Sequence, residues 1–240
     1  MSRELLLNLN SEQKEAVLYN GGPLFVVAGA GTGKTRTLTH KVAYLISQGL
    51  KPEEILVLTF TNRAANEMSQ RVDYLLEERL NFPFMATFHA FALKFLKMHI
   101  EILESRYNAN FSIADEYDSK KIIKDIIDEK NLVTVLSTKD IYKEISNYKT
   151  GFKEQSKYIE QIYPLYQERL EKNNLLDFDD LLLKVVELLK NCPDIRQKWQ
   201  KQFQYILIDE YQDTNAVQYE LIKLLVNDKR NLCVVGDDSQ

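Results

Sequence analysis

Residues 24–37 read LFVVAGAGTGKTRT, the stretch that most narrows what this 240-residue chain can fold into. A short apolar run gives way to a glycine-rich turn, then to an amphipathic helical stretch, 34–48, that ends at Gly49. Three of the eight glycines, Gly29, Gly31 and Gly33, fall inside five residues. With only five prolines besides, turns are few, helix content should be high, and the backbone needs its freedom at this one place. Gly33-Lys34-Thr35 fits the end of the phosphate-cradling pattern Gly-x4-Gly-Lys-Ser/Thr, with Ala28 where the first glycine would stand. Between a strand and a helix, the N–H groups of Gly29, Ala30, Gly31, Thr32 and Gly33 and the helix N-terminus converge on one anion. Lys34 is then expected to reach the β- and γ-phosphates, and Thr35 to give its hydroxyl to Mg²⁺.

Four further apolar, partly β-branched runs read as strands: 55–60, 84–87, 205–209 and 232–236. Each is nearly continuous in hydrophobicity, the mark of strands buried on both faces of a parallel sheet. Helical stretches at 63–80 (after Asn62) and 214–227 alternate with them, which predicts a doubly wound α/β sheet with helices on both faces. The interval 90–203 breaks the rhythm. Helical periodicity recurs there at 88–104, 116–130, 139–148, 155–171, 178–190 and 194–202, with no convincing strand. The expected organisation is a sheet domain in two parts, 1–89 and 204–240, interrupted by an all-helical insert. Because the sequence stops at GDDSQ, just after a buried strand, a longer parent protein is expected.

A phosphate cradle of this kind needs a carboxylate on a neighbouring strand. YILIDEYQDT (205–214) supplies Asp209 and Glu210 at a strand's carboxyl end, where open α/β sheets bind ligands. Asp209 is expected to hold Mg²⁺, and Glu210 to orient and deprotonate the attacking water. Charge agrees: residues 204–240 hold 3 basic and 7 acidic side chains, and the rest of the chain is balanced, so the net charge of −4 lies there. A mildly acidic total argues against a uniformly basic coating protein without excluding nucleic acid. Cys192 and Cys233 form no metal-ligand spacing. No apolar run approaches the roughly 18 residues of a membrane span, and no secretion signal is evident. A soluble cytoplasmic protein with no membrane partner is expected.

With these motifs in place, the sequence resembles superfamily 1 DNA helicases of the UvrD/Rep type over essentially its whole length, several motifs standing in the family's order. AGAGTGKT has the form of that family's P-loop, alanine included. The resemblance implies a RecA-like P-loop fold with a helical insert, ATP and Mg²⁺ as cofactors, and residue roles as follows. Leu9-Asn10-Ser11-Glu12-Gln13 matches the adenine-reading motif, with Gln13 pairing with the base; the same residues also form a helix-capping box, and one amide cannot easily serve both. Arg36 would pack against the nucleotide. TFTNRAANEM (59–68) and TFHAFALKFL (87–96) match DNA-contacting motifs, making Phe60 a stacking face and Thr61, Asn62, Thr87 and His89 contacts to single-stranded DNA. Without the family, Asn62 would read as an N-cap and Phe60 and His89 as core residues. LLDFDDLL (175–182) matches a family signature that makes Phe178 a candidate DNA contact; by residue type Asp177 or Asp179 serves as a helix N-cap, and the carboxylates read as structural or coupling residues. VVGDDSQ (234–240) begins a motif in which Gln240 senses the γ-phosphate.

The activity so implied is ATP-driven 3′ to 5′ movement on single-stranded DNA with unwinding at single-strand/duplex junctions. It needs a second RecA-like domain of the same chain, without which this piece is expected to be nearly inactive, and it implies repair or replication proteins as partners. Two other readings stay open: a motor subunit of a helicase–nuclease recombination complex, and a nucleotide- or DNA-binding regulator without motor activity.

Overall fold

A computed structural model describes residues 4–29, 31–82, 84–103, 107–151 and 156–237. The elements run in the order α1 (Ser11–Leu18), β1 (Leu24–Val27), α2 (Lys34–Ser47), β2 (Ile55–Thr59), α3 (Asn62–Leu76), β3 (Met85–Thr87), α4 (Phe88–His99), β4 (Ser112–Ile113), α5 (Glu116–Glu129), α6 (Thr138–Thr150), α7 (Lys157–Lys172), β5 (Leu175–Leu176), α8 (Phe178–Asn191), α9 (Pro193–Gln202), β6 (Tyr205–Ile208), α10 (Ala216–Leu225) and β7 (Leu232–Gly236). Among the described residues no helix is long and apolar enough to cross a membrane.

Five strands form one parallel sheet in the order β1-β7-β6-β2-β3. Alternation sorts its side chains into two layers. Ile55, Val57, Tyr205, Leu207, Cys233 and Val235 pack with Leu38, Val42 and Leu45 of α2 and Met68, Val72 and Leu76 of α3. The intervening Leu56, Leu58, Ile206, Ile208 and Val234 are buried on the opposite side. This is the doubly wound sheet the sequence predicts, with one correction. Strand β1 is a marginal strand whose burial alternates, leaving Phe25 and Val27 about half exposed at 54% and 51%. A run of four apolar residues therefore overstates its burial.

The chain divides into two compact units: Met1–Phe91 with Pro193–Thr214 and Ile222–Gln240, and Ala92–Cys192 with Asn215–Leu221. The expected insert, 90–203, takes in α9, but α9 lies in the sheet unit. Its Trp199 and the following Phe203 meet the rings of Phe84 (5.5 and 5.0 Å) and Phe91 (5.8 and 6.1 Å). Four aromatic rings packed together, Phe84 meeting Trp199 and Phe203 edge-to-face and Trp199 meeting Phe91 the same way, outweigh the helical periodicity that groups α9 with its predecessors.

The helical unit is built on Ile123 and Ile126 of α5, Ile141 and Ile145 of α6, and Ile159, Ile162, Tyr166 and Leu170 of α7. It also contains strand, against expectation: β4 and β5 pair in parallel over two residues each. A two-residue bridge is too short to leave a period-2 signal, so only the folded chain reveals it.

Candidate functional site

The phosphate cradle grows out of β1. The Ala28 N–H continues the ladder to the Gly236 carbonyl at 2.9 Å, and the turn closes through the Thr32 hydroxyl on the Gly29 carbonyl at 2.7 Å. Gly31 and Gly33 take left-handed backbone conformations (φ +77° and +96°), which L side chains rarely adopt. Gly33 is the N-cap of α2 and offers no capping side chain, so the helix's first N–H groups face the loop uncapped by any side chain. Ala30 lies outside the described residues. Lys34 and Thr35 open α2.

Helix α1 braces this loop. Asn10 and Gln13 form a reciprocal capping box: the Gln13 N–H donates to Asn10 Oδ1 at 2.8 Å and the Asn10 N–H to Gln13 Oε1 at 3.1 Å. The other end of the Gln13 amide donates to the Thr32 carbonyl at 3.1 Å. A Cβ on Gly33 would stand 2.7 Å from that amide nitrogen, a second reason for glycine there. At the far end of α1, the buried Lys41 of α2 donates to the Val17 carbonyl at 3.0 Å and to those of Ala16 and Tyr19. Burial pushes the Lys41 ammonium down to about 8. Sequence reasoning missed this tie, because a lysine in an amphipathic helix reads as solvated.

The acid pair follows β6. The Asp209 N–H still bonds the Leu58 carbonyl of β2 at 3.0 Å, which fixes it at the strand's end. Asp209 is 4% exposed; burial first, and the Glu210 charge second, push its carboxyl up to about 6. Glu210 is in a left-handed conformation (φ 49°), unfavourable for a glutamate, and its N–H donates to Asp209 Oδ1 at 3.1 Å. Lys34 Nζ meets Glu210 Oε2 at 2.7 Å, so cradle and acid pair converge although β7 separates their strands. The Glu210 hydrogen bond, which outweighs the cost of burial, raises the Lys34 ammonium, with the charges of Glu210, Asp237 and Asp209 adding to it. Burial works against ionisation of Glu210, but the Gln212 amide and Lys34 outweigh it and hold that carboxyl below its usual range.

The expected DNA residues follow the carboxyl ends of β2 and β3. Thr61, and not Asn62, caps α3: its hydroxyl accepts the Ala64 N–H at 3.1 Å, and Asn62 is the first helical residue. Thr87 likewise accepts the Ala90 N–H at 3.1 Å in the first turn of α4. The half-buried Phe60 ring leans on Phe88 at 5.6 Å, and burial lowers the His89 imidazole. Arg36 is exposed and lines a groove of about 450 Å³ with Asn8, His40, Arg71 and Tyr74. In the helical unit Phe178 is 47% exposed in the first turn of α8, which Asp177 caps. Asp177 and Asp180 are both bound to the buried Lys149 of α6, at 2.7 and 2.8 Å, a partner absent from the sequence argument. Gln240 lies outside the described residues.

A parallel sheet with a glycine-rich cradle after one strand and an acid pair after another defines the class of P-loop, RecA-like nucleotide-binding proteins. Residues 9–240 match the model of the UvrD/REP helicase N-terminal domain, and the chain belongs to that family. It is 40% identical to the ATP-dependent DNA helicase PcrA of Staphylococcus epidermidis over 98% of its own length and 34% of that protein's. Identity to the PcrA of Staphylococcus aureus strain Mu50 is 39%, with the same coverage. The chain thus spans about a third of the length of these curated relatives.

Proposed function

We propose that this chain is the first motor domain of an ATP-dependent DNA helicase, coupling Mg–ATP hydrolysis to 3′ to 5′ movement on single-stranded DNA and unwinding at duplex junctions. One observation carries the reading: Lys34 of the cradle and Glu210 of the acid pair touch at 2.7 Å, beside the buried Asp209. In that arrangement Lys34 and Glu210 occupy each other. A triphosphate seated on the loop draws Lys34 to its β- and γ-oxygens, since several negative oxygens outcompete one carboxylate. Glu210 is then released, still ionised, to take a proton from the water attacking the γ-phosphorus.

Thr35 and Asp209 fit Mg²⁺, a hard ion satisfied by a few protein oxygens plus water and phosphate. A buried carboxylate whose proton affinity is raised for want of compensating charge suits a divalent cation. Bound there, the ion supplies charge neutralisation for the phosphates. Gln13 would exchange its present bonds for the adenine edge, with Arg36 beside the base. Phe60 offers a face to one base, while Thr61, Asn62, Thr87 and His89 surround helix N-termini suited to backbone phosphates. Phe178 would add a contact from the helical unit. The second RecA-like domain supplies the arginine finger and Gln240 the γ-phosphate sensor, so this chain by itself hydrolyses ATP slowly. Action in the cytoplasm alongside repair or replication proteins completes the reading.

Glu210→Gln tests it. Mg–ATP affinity, measured by calorimetry on this chain, should be kept or improved, because Lys34 loses its competing partner. DNA-stimulated hydrolysis by the protein carrying its second motor domain should be lost. Hydrolysis at the parental rate, or a chain that binds no Mg–ATP, sinks the assignment.

A further inference from the structure

Gln212 touches neither the cradle nor any residue assigned above to phosphate, metal or DNA, yet its amide is committed at both ends. Its Nε2 donates to Glu210 Oε2 at 2.8 Å, the same oxygen that meets Lys34. Its Oε1 accepts the Asp237 N–H at 3.0 Å, where the chain leaves β7. The backbone makes room for this bridge: a Cβ on Gly236 would lie 3.0 Å from Gln212 Oε1 and 3.5 Å from the Gln212 backbone nitrogen. Gly236 has an ordinary φ, so its requirement for glycine is this close approach and not a turn.

We propose that Gln212 is a positioning residue for the Glu210 carboxylate, setting its orientation through one amide hydrogen and coupling it to the carboxyl end of β7 through the amide oxygen. The proposal rests on the general-base reading of Glu210 and extends it. When Lys34 transfers to a triphosphate, the oxygen Oε2 loses its ionic partner and the Gln212 hydrogen becomes the bond that keeps the carboxylate aimed. A backbone in the left-handed region offers little restraint of its own, because that conformation is held by its surroundings. A displacement of the β7 end would pass through the amide to the group that orients the attacking water. An amide suits the task because it presents one donor and one acceptor in a fixed plane. Glutamate in its place keeps the acceptor for Asp237 and loses the donor for Glu210.

That asymmetry gives the test. Gln212→Glu, Gln212→Leu and Glu210→Gln are compared with the parent protein carrying its second motor domain, by DNA-stimulated Mg–ATP hydrolysis. Both Gln212 variants should lower kcat by roughly tenfold or more while KM for ATP stays within about threefold. Gly236→Ala, which crowds the amide oxygen, should lower kcat in the same direction by less. If Gln212→Glu turns over at the parental rate while Glu210→Gln is inactive, Gln212 only ties down β7 and the positioning role is overturned. If Glu210→Gln is itself active, the general-base reading fails and takes this inference with it.

Discussion

The two units of this chain each contain one lysine set against two carboxylates, and the two clusters have opposite characters. In the sheet unit Lys34 is 9% and Glu210 38% exposed, Asp209 stands beside them, and a glycine loop forms the border. In the helical unit Lys149, Asp177 and Asp180 are 0%, 4% and 2% exposed. There Tyr166 donates to Asp177 at 2.9 Å and Gln167 to Asp180 at 3.3 Å. The residue types are the same and the chemistry differs because of access. An ion pair at a rim can trade a carboxylate for a phosphate. One sealed among α6, α7 and α8 has nothing to trade with, and fixes the helices instead.

The largest expected effect separates them directly. Lys149→Met leaves two buried carboxylates without their counter-charge and should cost about 3–5 kcal/mol of unfolding free energy. Chemical denaturation measures it, and a loss under about 1 kcal/mol would mean that the cluster is not the clamp described. Lys34→Ala should do the reverse. Its stability should change by about 1 kcal/mol or less, since the pair is partly solvated. Mg–ATP hydrolysis in the protein with its second motor domain should fall about 100-fold or more.

Neutralising one carboxylate in each cluster should act in opposite directions at pH 7. Asp209 carries a folded-state carboxyl at about 6, above its ordinary 3.8. A native state that binds the proton more tightly than the unfolded chain loses stability as pH rises from about 4 to 6, and stays less stable above that. Asp209→Asn should therefore stabilise the protein at pH 7 by on the order of 1–3 kcal/mol while abolishing Mg²⁺-dependent turnover. Asp177→Asn should destabilise it at the same pH, because Lys149 loses a partner. Melting temperatures of Asp209→Asn across pH 4–8 and of Asp177→Asn at pH 7 check this, and matching signs at pH 7 would dissolve the contrast. The smallest effect concerns the brace: Asn10→Ala should cost about 1 kcal/mol through loss of the α1 cap, read as a lowered melting temperature.

The legible parts of the molecule are those written in contiguous residues. LFVVAGAGTGKT carries strand, turn and helix in order, and YILIDE carries a strand and its terminal acids, so the sheet and both halves of the cluster are readable. What joins distant positions is not. Lys149 has the local pattern of an exposed helical lysine, and only the tertiary fold seals it against Asp177 and Asp180. Gln212 and Gly236 are unremarkable until one is seen to make room for the other. The placing of α9 with the sheet unit is likewise illegible, because its ring contacts run to Phe84 and Phe91, far back in the chain. Gln13 shows a different limit: two roles were compatible with the letters, and the folded chain displays the cap.

Strand β1 bears on handling as well as chemistry. Among the described residues it pairs only with β7, so its outer rim is a sheet edge, with Phe25 and Val27 half exposed on one face. Such a border is a template for an extended segment of a neighbouring molecule. Concentrated solutions of these 240 residues should accordingly grow stickier with dose, and a lysine at Val27 should keep them clear.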